Sequence, residues 1–166
     1  TQTRHVRNAD LGFQREGLLV APWLGYVEKA KHPALIAALR AVPGVSIVTT
    51  SDTGVGDVGN NNSDNLLLSG RPGPGPAARH INGGTDFFRL FGTRPIAGRL
   101  LDDVHRMDDR TNSQKGLPSN IVISRKAVTA LGFRSPKDAI GQTIVQPSPM
   151  TIVGVVDDLR FFSPRL

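Results

Sequence analysis

Glycine and proline cut this chain into short pieces, and that spacing constrains its fold more than any other feature. There are 18 glycines and 12 prolines among 166 residues. Proline has no N–H to donate and glycine loses the most backbone entropy on ordering, so neither is at home inside a helix or a central strand. Many turns and short elements are therefore expected. The extreme case is residues 70–76, Gly-Arg-Pro-Gly-Pro-Gly-Pro, which predict a loop or lobe boundary.

Between the breaks, local signals predict elements one by one. Residues 18–22 are a short apolar run that predicts a buried strand. A helix follows, opened by Pro33, carrying Leu35, Ile36, Leu39 and Val42 on one face, and stopped by Pro43 and Gly44. The β-branched residues 45–51 predict the next strand, making an opening β-α-β unit. Residues 52–62 read as a loop, 66–68 as a strand and 77–82 as extended chain. Thr85 is the expected N-cap of a short helix bearing Phe87, Phe88, Leu90 and Phe91, with Gly92 just beyond its end. These rings are expected to anchor the core by packing.

The second half carries the stronger patterns. Residues 120–123 predict a strand, Ser124 the cap of a helix through Leu131, and Gly132 its stop. Ser135, Pro136 and Asp138 repeat the start signal for a single turn closed at Gly141. Residues 142–145 and 151–156 predict a hairpin across 146–149. The sum is an α+β fold of about seven or eight short strands and three or four short helices.

Composition removes several function classes. With no cysteine there is no disulfide, thiolate nucleophile or Cys-ligated zinc. Apolar runs such as 152–156 fall far short of the roughly 20 residues of a membrane helix, and the N-terminus shows no secretion signal, so any membrane anchor is expected outside this segment. A net charge of +6 invites a nucleic-acid reading, but the basic residues are dispersed among acids such as Asp102, Asp103, Asp108 and Asp109, whereas phosphate binding needs a clustered face. Basic residues near both ends, Arg4, Arg7, Arg160 and Arg165, suit anionic lipid headgroups instead.

No motif in the chain carries chemistry with conviction. Gly54, Gly56 and Gly59 have the spacing of a dinucleotide loop, but an Asn-rich stretch follows where a phosphate-binding helix should open, and no acid lies about 20 residues beyond to hold a ribose. His5, His32, His80 and His105 lack metal-ligand spacing, and the paired aspartates at 102–103 and 108–109 read as solvated loop. The serines lack a nucleophile elbow, and the acceptor sequence Asn61-Asn62-Ser63 matters only in a eukaryotic secreted chain. Catalytic, cofactor-binding and metal residues are all expected to be none; substrate or partner-binding residues are not assigned.

Several segments, in order, resemble the periplasmic core domain of MacB/FtsX-like ABC-transporter permeases. They are Leu11-Gly12-Phe13, residues 39–45 (Leu-Arg-Ala-Val-Pro-Gly-Val), residues 87–99 from the phenylalanine helix to the Ala-Gly-Arg corner, and residues 120–124, 130–133, 139–142 and 152–158. The resemblance implies a porter-like β-α-β lobe from residues 1–72 and 150–166, incomplete at its C-terminus, with a smaller mixed α/β lobe inserted at 73–149. It also implies an extracytoplasmic domain of a bacterial inner-membrane protein that couples cytoplasmic ATP-driven motion to periplasmic export or signalling and is not itself an enzyme. The implied partners are a second permease copy, a cytoplasmic ATP-binding domain, a periplasmic adaptor and the membrane through flanking helices, with no nucleic acid and no cofactor. The alternative from the residues alone is a self-contained periplasmic ligand-binding or adaptor-like module.

Overall fold

In a computed structural model, the residues described are 17–22, 26–54, 62–109 and 117–159. A 3-10 turn, Lys29–Lys31, leads into α1 (His32–Arg40). Two short antiparallel strands, β1 (Ser63–Asn65) and β3 (Ala77–Arg79), form one sheet with Asp64 opposite Ala78. Between them lies β2 (Leu67–Leu68), which joins the larger sheet. The one-turn helix α2 (Phe87–Leu90) and strand β4 (Ala97–Gly98) follow, then β5 (Ser119–Ser124), α3 (Arg125–Ala130), α4 (Pro136–Ala139), β6 (Thr143–Gln146) and β7 (Met150–Val156).

The larger, five-stranded sheet is organised around β7. On one edge β7 runs parallel to β5 from Ser119 opposite Met150 to Ser124 opposite Val156. A strand has two edges, so β6 at the start of β7 and β4 at its end share the other, both antiparallel. A parallel β5–β7 pair needs a crossover, and α3 and α4 supply it. They cover one face of the sheet, burying Val128, Leu131 and Ala139 on Ile123, Ile144, Ile152 and Val155. Each fully buried large apolar side chain here contributes about 1.5–3 kcal/mol.

The α3 start follows its expected chemistry. Ser124 is extended and its hydroxyl accepts from the Ala127 N–H, while Gly132 takes φ +76° past the helix end. At the next cap the side chains differ from expectation. The Ser135 hydroxyl donates to the Asp138 carboxylate and caps no backbone N–H.

Two glycines make the crossing of β4 over β7 possible. A methyl group on Gly98, which sits at φ +67°, would lie 2.1 Å from the Val153 carbonyl oxygen, and one on Gly154 would lie 1.9 Å from that of Arg99. Only a residue without Cβ fits either place.

A second cluster forms around Phe87 and Phe91, whose rings meet edge to face at 4.9 Å. Leu18, Ile81 and Leu159 pack against it, so segments from near both ends of the chain converge on one aromatic pair.

The expected opening β-α-β unit is reduced to its helix. Residues 18–22 form no strand: Leu19 is 93% and Val20 54% exposed, and among the described residues no neighbouring strand takes their backbone groups. Among the described residues, 45–50 likewise pair with no strand, and Ser51 makes an isolated bridge to Gly83. Apolar sequence predicts burial but supplies no pairing partner, and α1 itself buries no residue fully. At α2 the N-cap is Asp86, not Thr85, whose hydroxyl donates instead to Asp103. The mixed α/β class stands. The larger sheet also draws on both lobes expected from the sequence, since β7 pairs with strands from 73–149. Among the described residues no helix is long and apolar enough to cross a membrane.

Candidate functional site

Two features occupy the space between the sheets, a cleft and a buried ionic clasp beside it. The cleft holds about 450 Å³ and lies between the β1–β3 side of the molecule and β5. Its far walls are Phe87 and Phe88 from α2, Met150 and Val156 from the two ends of β7, Leu159 beyond it, and Pro147 from the β6–β7 turn. The lining is mainly apolar, with polar groups among it: Asp64 lies 3.3 Å from His80, and Asp157 meets Arg125 at 3.0 Å.

The clasp is centred on Asp108, whose side chain is 0% exposed. Arg99, just past the β4 glycine corner, donates to both its oxygens at 2.5 and 3.0 Å. The Asn120 side-chain amide donates at 2.6 Å and the Asp102 backbone N–H at 2.9 Å. Burial pushes the Asp108 carboxyl up, but the hydrogen bonds from Arg99, Asn120 and Asp102, with the charge of Arg99, outweigh it and hold it below the ordinary carboxylate range. The same bond to Asp108 raises Arg99 further. The loop that carries Asp108 is thus tied to the start of β5, where the Asn120 N–H also donates to the Met107 carbonyl.

Asp102 works one layer further out. Its Oδ1 accepts from the His105 ring at 2.7 Å and from the Val104 and His105 N–H groups, and the ring bond is the main reason its carboxyl lies below the usual range. The ligand-type atoms of Asp102, His105 and Asp108 come within 4.8 Å of one another, a grouping the sequence spacing did not promise. It does not suit a cation, because both Asp108 oxygens are already engaged and a guanidinium sits against them.

The remaining singled-out residues are scattered. His32 bonds the Val27 carbonyl at 2.9 Å, and His80 lies at the cleft. His5, Asn61 and the Gly-rich stretch beyond Gly54 lie outside the described residues. Asp108 was expected in a solvated loop and is instead nearly the most buried polar residue, a correction the local pattern could not supply. Its partners come from Arg99 and Asn120, which only the fold brings together.

The fold defined by these observations is a mixed sheet backed by short helices, with a small second sheet set across a cleft. A family model described as the MacB-like periplasmic core domain matches residues 5–164, and the chain belongs to that family. Among solved structures, the periplasmic region of MacB from Actinobacillus actinomycetemcomitans matches with a TM-score of 0.55 at 19% identity, covering 80% of this chain and 54% of that one. A domain assigned to a permease protein of Porphyromonas gingivalis matches with a TM-score of 0.45 at 20% identity, covering 74% of this chain and 48% of that one. The chain therefore spans about half the length of these structures. No curated protein matches it.

Proposed function

We propose that this chain is the extracytoplasmic part of a bacterial ABC-transporter permease, set between two membrane helices and moved by ATP hydrolysis in a separate cytoplasmic domain. The observation that supports this reading is the match of the MacB-like periplasmic core domain model to residues 5–164. Export or signalling, a second permease copy and a periplasmic adaptor belong to the same proposal. So does the two-lobe organisation, with β7 as the seam through which a porter-like lobe and the 73–149 insertion share a sheet.

The test uses the full-length permease with a spin label at the exposed Val104. Trapping the nucleotide-bound state should shift the label-to-label distance between two copies. A distance distribution that ignores nucleotide would contradict mechanical coupling.

The cleft favours a second reading, a ligand-binding module, because cavities of about 300–1,000 Å³ with mainly apolar lining are typical of ligand sites. The two readings part on the nucleotide experiment, since a self-contained module has no reason to respond.

A further inference from the structure

Residues 50–52 and 82–84 meet as a short antiparallel ladder. Ser51 bridges Gly83, the Gly84 N–H donates to the Thr50 carbonyl at 2.9 Å, and the Asp52 N–H donates to the Asn82 carbonyl at 2.9 Å. In a regular rung the Asn82 N–H would return to the Asp52 carbonyl. Here it goes to Asp52 Oδ1 at 3.0 Å, and the Asn82 side-chain amide donates to Oδ2 at 2.7 Å. One carboxylate therefore holds both the backbone and the side-chain nitrogen of Asn82 and closes the ladder. It also accepts from the Asn62 amide at 2.9 Å.

Asn82 is followed by glycine, whose missing Cβ leaves the next backbone nitrogen unhindered and the chain free to turn. This is the one Asn-Gly step in the sequence. Packing keeps the glycine there: a methyl group on Gly83 would lie 2.8 Å from Cδ2 and 3.1 Å from Cβ of the buried Phe87. Asn82 itself is exposed to water.

We propose that Asn82 is a site of deamidation guarded by Asp52. In the reaction the Gly83 nitrogen gives up its proton and bonds to the side-chain carbonyl carbon of Asn82, the bond from that carbon to Nδ2 breaks, and the side-chain nitrogen leaves as ammonia. Water then opens the cyclic imide at either carbonyl and leaves aspartate or isoaspartate; nothing is oxidised or reduced. The closed ladder opposes the first step, because the side chain must leave Asp52 and the backbone must turn at residue 82, which the pairing on either side resists. Opening of the ladder permits it. The product cannot close the ladder as before. Aspartate sets a carboxylate opposite Asp52 where an amide donor stood, and isoaspartate lengthens the backbone and moves Gly84 out of register with Thr50. A transient opening is thereby made permanent.

The test incubates the 166-residue chain at neutral pH and follows Asn82 by peptide mapping and mass spectrometry, beside a synthetic peptide of residues 78–87. The folded chain should deamidate at least about fivefold more slowly than the peptide, and Asp52→Ala should recover most of that difference. Val128→Ala, which weakens the core under α3 and touches none of these groups, should leave the rate unchanged. Asn82→Asp, standing for the product, should speed hydrogen exchange at the Asp52 and Gly84 amides at least about threefold. Equal rates in folded chain and peptide would show that the ladder guards nothing, and an Asn82 that stays intact in the Asp52→Ala chain would show no site. Equal acceleration by Val128→Ala would make global unfolding the route, and unchanged exchange in Asn82→Asp would remove the lasting opening; each of these overturns the proposal.

Discussion

Replacing Asp108 by alanine should destabilise the fold more than any other change to a charged residue described above. The carboxylate is fully enclosed, and its loss strands the Arg99 guanidinium, the Asn120 amide and the Asp102 N–H. Removing one member of a buried pair costs about 3–5 kcal/mol. Arg99 is 32% exposed and regains water, which places the expected cost near the lower end, about 3 kcal/mol. With an m-value of about 2 kcal/mol per molar in urea, the midpoint should fall by about 1.5 M. The double variant Arg99→Met with Asp108→Leu should recover most of that loss, because it removes both charges together. The measurement is urea unfolding followed by circular dichroism, with m checked for constancy. A midpoint for Asp108→Ala within about 0.2 M of the parent would refute the clasp.

The same carboxylate sets a pH dependence. Because its folded value lies below its unfolded one, its contribution is complete above about pH 4 and is lost as pH falls through the folded value; the stability gap between parent and Asp108→Asn should close only on that acid side. Phe91→Ala should cost about 3–5 kcal/mol as a core truncation and Phe88→Ala, half-buried, clearly less, read by the same unfolding midpoints. Gly154→Ala should cost about 3 kcal/mol or more or prevent folding, since its methyl meets the Arg99 backbone, whereas Gly141→Ala meets no atom and carries only the strain of its positive φ; thermal unfolding separates the two.

The parts of the fold legible in the sequence are those with local causes. Ser124 before an apolar helix, Pro136 at a first turn, and Gly132 and Gly141 past helix ends announce their elements by chemistry that acts within a few residues. The β6–β7 hairpin is legible for the same reason. Residues 18–22 and 45–50 misled because an apolar run reports a tendency to bury, while a strand also requires a partner edge. Asp108 was illegible because three of its four hydrogen bonds come from Arg99 and Asn120, nine and twelve residues away. The cleft is of the same kind. It is lined by residues from β1, β3, α2 and β5 that only the fold brings together, and no residue type marks that.

The central claim is that this domain faces the outside of the cytoplasmic membrane. The chain has no cysteine, so a single one placed at Leu19 or Val104, both strongly exposed, reports its own side. In intact cells producing the full-length permease with its other cysteines removed, a membrane-impermeant maleimide should label both positions before lysis. Labelling that appears only after the membrane is broken would place the domain in the cytoplasm and contradict the account.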